Sequence, residues 1–258
     1  MGNGTQVSPQ SKGHLEAMFT MEKYVRERFY PRPGDPFYLH LSDLLLALKR
    51  VATSEAFTIL DYGAGASPYQ SLFQNSEYHR ADIAAFGELE YLIKDNGTIP
   101  EKSKMFDVVL STQVLEHVNN HETHLSECFR LLKPGGMLLV STHGLYEDHG
   151  CPYDFQRWTA DGLKRDLRKA GFEVIRMDKL TTGPRAIMFL IDRYFDTMST
   201  PTKTVPRVLH WACKTMVQGF RRWIHVVLDR YCSGYRNVPS EAGEIFYIAL
   251  FACVRRPL

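Results

Sequence analysis

Between residues 141 and 159 the chain reads Ser141-Thr142-His143-Gly144-Leu145-Tyr146-Glu147-Asp148-His149-Gly150-Cys151-Pro152-Tyr153-Asp154-Phe155-Gln156-Arg157-Trp158-Thr159. Imidazoles, carboxylates and a guanidinium gathered in so short a stretch can take or hold the proton of a hydroxyl, since histidine alone titrates near neutral pH without help. His149 is the candidate general base or hydroxyl ligand, and His143 is the alternative. The neighbours have structural readings: Thr159 caps the helix that follows, Trp158 joins the core, and Arg157 ties the loop down through Asp154. His117, at a helix start, reads as a ring bonded to backbone.

A second group of residues suits a nucleotide. Thr58-Ile59-Leu60-Asp61-Tyr62-Gly63-Ala64-Gly65-Ala66-Ser67-Pro68 places an apolar strand, an acid, a glycine bend and a helix start in succession. Gly63 and Gly65 let the backbone turn and approach a ligand, while Ser67 suits a helix cap and Pro68 a first helical position. A dinucleotide fingerprint would require glycine at 68, so proline there disfavours a nicotinamide oxidoreductase. Asp82, followed by Ile83, ends the second expected strand, Tyr78-His79-Arg80-Ala81-Asp82, where a carboxylate can accept both ribose hydroxyl protons.

These residues need a scaffold that brings loops together at one edge. Strand and helix signals alternate from about residue 58 to about 178, the pattern of a parallel sheet covered by helices. Strands are expected at Phe57–Tyr62, Tyr78–Asp82, Leu89–Ile93, Phe106–Ser111, Met137–Thr142, Phe172–Met177 and Glu244–Arg255. Helices are expected at Leu15–Phe29, Leu39–Val51, Ser67–Gln74, His121–Leu132 and Thr159–Ala170, with Lys133-Pro134-Gly135-Gly136 as a helix stop. Loops at the carboxyl ends of parallel strands form the ligand crevice of such sheets.

The order of these residues resembles the class I S-adenosylmethionine-dependent methyltransferases, and within them the broad group acting on small molecules and saccharides. The likeness spans residues 58–178. Asp61, Gly63 and Gly65, with Tyr62 and Ala64 between them, match the family's first motif, and Ser67 replaces its third glycine. Asp95-Asn96-Gly97, then Phe106-Asp107-Val108-Val109, is similar to its adenine-binding turn and fourth strand; Ser111-Thr112-Gln113 and the residues to Val118 are similar to the segment under the methionine half. Phe129 to Gly136 is similar to its next helix-to-strand turn.

The resemblance implies S-adenosyl-L-methionine as cofactor and S-adenosyl-L-homocysteine as product, with Asp82 on the ribose and Asp95 on the adenine amino group. His149, Pro152, Asp154, Arg157 and Thr159 match a loop of methyltransferases that modify surface polysaccharides; His143 stands where that group often has proline. The implied activity is O-methylation of a saccharide, lipid-linked sugar or other small acceptor, by an in-line displacement that demands no metal. The reading from another class is a non-catalytic, methyltransferase-like nucleotide-binding scaffold or regulator.

The expected fold is a Rossmann-like α/β domain: a mostly parallel seven-stranded sheet, helices on both faces and an antiparallel last strand. A tail (1–13) precedes a single domain (14–258), divided into a helical cap (14–54), cofactor core (55–178), helical insertion (179–243) and last strand (244–258).

Lys plus Arg number 31 against 29 Asp plus Glu, so there is no basic field of the kind nucleic acids select. Five cysteines without a CxxC pair argue against a disulfide framework or a zinc site. With no signal peptide and no spanning apolar run, a cytoplasmic protein, free or peripheral to a membrane, is expected. Over 205–231, Val205, Leu209, Ala212, Met216, Phe220, Trp223 and Val227 form one helical stripe, with Arg207, Lys214 and Arg221 on another face. Such a basic amphipathic helix suits a core-docked lid, a homodimer contact or an anionic membrane surface.

Overall fold

The computed structural model describes residues 21–84, 89–150, 153–197 and 204–258. The expected tail, the start of the first helix, and Cys151 and Pro152 of the histidine loop lie outside the described residues.

Eight strands form one sheet: β1 (Thr58–Tyr62), β2 (Glu77–Asp82), β3 (Tyr91–Leu92), β4 (Phe106–Thr112), β5 (Leu132–His143), β6 (Glu173–Thr182), β7 (Asn237–Pro239) and β8 (Tyr247–Arg255). Their order is β3-β2-β1-β4-β5-β8-β6-β7. β1 to β5 pair in parallel, and β8 lies antiparallel between β5 and β6. The helices are α1 (described over 21–29), α2 (Tyr38–Val51), α3 (His121–Leu131), α4 (Ala160–Lys169), α5 (Gly183–Thr197) and α6 (Thr204–Tyr231).

Alternation along the strands sorts side chains to two faces. Leu60, Tyr62, Val109, Leu138, Val140, Leu250 and Ala252 pack with Leu125, Cys128 and Leu131 of α3 and Leu163 and Leu167 of α4. Ile59, Val108, Leu110, Leu139, Ala249 and Phe251 pack with Leu44, Leu45 and Leu48 of α2 on the other. Because β1 to β5 run parallel, the loops after them share one edge, and the chain order reverses between β1 and β4, where such sheets open a crevice.

The Rossmann-like architecture is present with one strand more than the seven expected. β7 pairs antiparallel with β6 inside the segment read as purely helical, and three residues are too few for a periodic signal. The helix expected over Ser67–Gln74 shrinks to a 3₁₀ turn, Gln70–Phe73. Ser67 is no cap, because it stands in the left-handed region at φ 47°. The third glycine of the family motif is replaced at a position whose backbone favours glycine.

The Lys133–Gly136 stop lies within β5, which begins at Leu132. Gly135 takes φ 80°, and a Cβ on Gly136 would meet the Lys133 carbonyl at 2.9 Å, so the glycines carry a kink in a strand. β3 keeps only two of its five expected residues, and β6 runs on to Thr182.

Helix α6 forms where expected but presents the other face. Leu209, Trp211, Met216, Phe220 and Trp223 are exposed, while Arg221 and His225 are buried on Asp192 of α5, at 2.9 and 2.8 Å. Of the three uses expected for this helix, docking through the apolar stripe is therefore not what the structure shows: Leu209, Met216, Phe220 and Trp223 of that stripe face outward, and the buried charge pairs lie on the docked side.

Candidate functional site

The loop after β1 is shaped by backbone hydrogen bonds. Gly63 and Ala64 donate their N–H groups to the Ala81 carbonyl at 2.8 and 3.0 Å, turning the loop toward the end of β2. A Cβ on Gly63 would lie 2.5 Å from a Val114 methyl, so only glycine permits this approach to the segment after β4. Asp82 accepts from Gly65 N–H and Ile83 N–H, each at 2.7 Å, anchoring the loop while one lone pair of each oxygen stays available. Ile83 beside it is exposed.

Asp61 is buried near the end of β1, where the Tyr78 hydroxyl donates to it at 2.7 Å. Burial pushes its carboxyl up to about 7, and the nearby Asp82 charge adds to this while Tyr78 opposes it. Tyr62 points into the core, stacks on His124 at 4.7 Å and donates its hydroxyl to the Gly97 carbonyl. It thus fixes the turn that carries Asp95, Asn96 and Gly97. In that turn Asn96 Oδ1 accepts from Thr98 N–H and Oγ1, at 3.2 and 2.8 Å, and Asp95 is exposed.

Ser111 lies in the core, 3.1 Å from His124 Nε2, and Thr112 is half-buried. Gln113 turns back at φ 56°, its backbone N–H on the Ser141 carbonyl at 3.0 Å and its amide on Ser141 Oγ at 2.9 Å. This left-handed residue bends the chain away from the sheet between the glycine loop and the histidines.

The histidines gather at the same edge, after β4 and β5. His143 ends β5, is buried, and lies 3.0 Å from Glu116 Oε1. Burial drives its imidazole well below the usual range, so the ring is neutral at pH 7. Burial also raises the Glu116 carboxyl to about 7, partly offset by its own backbone N–H and by Thr142 Oγ1, which donates to Oε2 at 2.8 Å. His149 is half-buried, with Nδ1 at 3.2 Å from the Glu147 carbonyl and 3.3 Å from Asp154 Oδ2. Its pKa is lowered by burial.

Tyr146 stacks on His143 at 3.8 Å, and His149 lies 5.0 Å from both rings. Neutral imidazoles, a carboxylate near neutrality and a phenol ring thus form one cluster that can accept a hydroxyl proton.

The supporting residues behave as expected. Arg157 grips Asp154 with two nitrogens at 2.5 and 2.6 Å. Thr159 Oγ1 caps α4 through Gly162 N–H, Trp158 is buried, and His117 Nδ1 bonds the Tyr153 carbonyl at 2.6 Å.

Sequence reasoning did not single out His40, Glu116 or Tyr146. His40 comes from α2, is fully buried and held to about 4 by that burial, and its ring lies 5.6 Å from His143. No local motif places a residue of the N-terminal cap against β5. Glu116 adjoins His117 after β4, where a search for carboxylates at strand ends would have found it.

α5 and the cap pack against this cluster. Phe189 packs 5.6 Å from Tyr146 and 5.9 Å from His40. Arg193 of α5 binds Glu147 at 2.6 Å, tying the histidine loop to this wall. Arg185, fully buried, bridges Asp43 of α2 and Asp229 of α6 at 2.7 and 2.9 Å.

Comparison with known proteins adds to the geometry. Residues 49–140 match the methyltransferase domain family. The chain is 31% identical over 80 residues to the mitochondrial ubiquinone biosynthesis O-methyltransferase of Rattus norvegicus, covering 30% of this chain and 23% of that protein. It is 37% identical over 105 residues to a Mycolicibacterium smegmatis protein named a probable S-adenosylmethionine-dependent methyltransferase, covering 38% of each. The chain therefore spans well under half the length of either relative.

A solved S-adenosylmethionine-dependent methyltransferase of Thermotoga maritima superposes with a TM-score of 0.53 at 15% identity, over 94% of this chain and 99% of that one. Residues 49–140 are thus similar to the methyltransferase domain family, and the sheet has the Rossmann-like fold that this solved methyltransferase shares.

Proposed function

We propose that the chain binds S-adenosylmethionine in the crevice between the β1 and β4 loops and moves its methyl group to a hydroxyl of a small acceptor, a saccharide or lipid-linked sugar being the leading class. The observation that carries this is the meeting of His143, His149 and Glu116 at the edge that also holds the glycine bend and Asp82. Asp61, Asp82 and Asp95 hold the nucleoside, with Tyr62 behind the adenine turn. Gln113 separates the cofactor from the acceptor wall. Displacement at the sulfonium carbon needs an aligned, deprotonated oxygen in a dry pocket, which the histidine wall and Phe189 are suited to provide.

The outward face of α6 supports a membrane contact for the acceptor. Trp211, Trp223 and Phe220 are exposed beside Arg207, Lys214 and Arg222, an aromatic and basic mixture that suits an anionic lipid surface. Among the described residues no helix is long and apolar enough to cross a membrane. Vesicles containing phosphatidylglycerol should sediment the protein; a dimer that leaves vesicles unbound would assign the face to a second copy.

Methyl transfer from labelled S-adenosylmethionine to a panel of sugars and prenyl-linked sugars tests the enzyme reading. His149→Ala should cut kcat by about a hundredfold or more while leaving cofactor affinity unchanged. Cofactor binding with neither transfer nor slow hydrolysis would support a scaffold instead.

A further inference from the structure

We propose that Glu116, His143 and His149 together hold a divalent first-row transition cation of the zinc type, with one coordination position open to the acceptor. One ligand atom from each lies within 4.8 Å of the other two. A tetrahedral ion with bonds near 2.0–2.1 Å spaces its ligands about 3.4 Å apart, so a modest rotation of the half-buried His149 closes the set.

The second observation is an orphaned buried oxygen. Glu116 Oε1 is buried and accepts no hydrogen bond, although His143 Nε2 is 3.0 Å away. Buried polar atoms are rarely left this way, and a buried carboxylate oxygen without a donor is costly unless a positive charge faces it. A cation supplies that charge.

The surroundings resemble those of a metal-bound imidazole. His149 Nδ1 faces the Glu147 carbonyl and Asp154 Oδ2, which leaves Nε2 with the lone pair, and Arg157 holds Asp154 in place. Two imidazoles and one carboxylate favour zinc, cobalt or ferrous ions over magnesium and calcium, which prefer all-oxygen sets. Three protein ligands are the number that leaves a position free.

The consequence for methyl transfer rests on the reading above. The acceptor hydroxyl oxygen binds at the open position, and its acidified proton leaves to solvent water. The oxygen then forms a bond to the methyl carbon as the carbon–sulfur bond breaks. The electron pair stays on sulfur, which becomes a neutral thioether, so one proton is released per transfer. His149 acts through the cation in this step.

Untagged protein, stripped with chelator and titrated with cobalt(II) alone, gives a readout independent of activity. Binding of one cobalt per chain is expected, with a visible band of four- or five-coordinate geometry that zinc displaces and magnesium does not. His149→Ala and Glu116→Gln should each weaken cobalt binding at least tenfold. Because His149 is half-buried, its variant decides the matter if the Glu116 variant misfolds. No band, or unaltered cobalt affinity in His149→Ala, would overturn the site. S-adenosylmethionine affinity measured on the same samples keeps the two readings apart: cobalt without cofactor binding sinks the methyl-transfer reading alone, and cofactor without cobalt sinks the metal site alone.

Discussion

The loops after β1 and β2 are held by backbone N–H groups on carbonyl and carboxylate oxygens, whereas the wall made by α2, α5 and α6 is held by buried side-chain charges. Gly63, Ala64 and Gly65 reach the Ala81 carbonyl and Asp82 through main-chain donors. Among the helices, Arg185 spans Asp43 and Asp229, and Arg221 and His225 converge on Asp192. A backbone-built loop tolerates many side chains outside its glycines and acid. A charge-built wall depends on a few residues far apart in sequence, and removing one partner strands the other.

The largest effect should therefore fall on the wall. Arg185→Met takes both guanidinium hydrogen bonds from the buried Asp43, leaving it only the Thr181 hydroxyl at 2.9 Å and the more distant Arg236 at 3.6 Å, and should cost about 3 kcal/mol of stability in urea unfolding. Combining it with Asp43→Leu should restore much of the loss. A cost under about 1 kcal/mol for the single variant would mean that the network does not hold the wall.

In the cradle, Asp82→Asn replaces one acceptor oxygen with a donor facing a backbone N–H, at Gly65 or at Ile83. It should weaken S-adenosylmethionine binding by about tenfold to a hundredfold, read by calorimetry, with a smaller change in stability. Equal losses in binding and stability would erase the contrast between the two regions.

Asp61 sharpens the comparison through pH. Its folded value of about 7 lies above the ordinary carboxylate value near 4, so the native state binds this proton more tightly than the unfolded chain. Its contribution is complete below about pH 4, falls as pH rises, and is lost above about pH 7. Asp61→Asn should remove that part of the slope, making the variant relatively more stable at pH 8 than at pH 5 in denaturation curves. Parallel profiles would contradict the assignment.

The smallest effect belongs to Ser67→Gly. Relieving a left-handed serine, offset by glycine's greater unfolded freedom, should gain roughly 0.5 kcal/mol. A loss would show that the serine side chain contributes more than its backbone costs.

The sheet was legible because most of its strands are apolar runs separated by turn chemistry, and the glycine bend was legible because it joins a strand, an acid and two glycines within five residues. The orientation of α6 was not. Its exposed stripe of Leu209, Met216, Phe220 and Trp223 looks like a core face, and only the partners on α5, Asp192 and Asp196, reveal that Arg221 is the docked side. β7 escaped notice because it is short and depends on pairing with β6.

The site divided in the same way. His143 and His149 stand together in sequence, but His40 reaches them from α2 through tertiary packing, which carries no local pattern. Ser67 was misread for a related reason: a serine before a proline suits a helix cap, and the left-handed backbone needed by the loop overrode that preference.

The most direct test is calorimetry of the purified full chain with S-adenosylmethionine and with S-adenosylhomocysteine, alongside Asp61→Asn and Asp82→Asn. Saturable one-to-one binding of both ligands, weakened in both variants, is the predicted result. No heat at millimolar ligand, or affinities untouched by either substitution, would contradict the claim that these loops hold the cofactor.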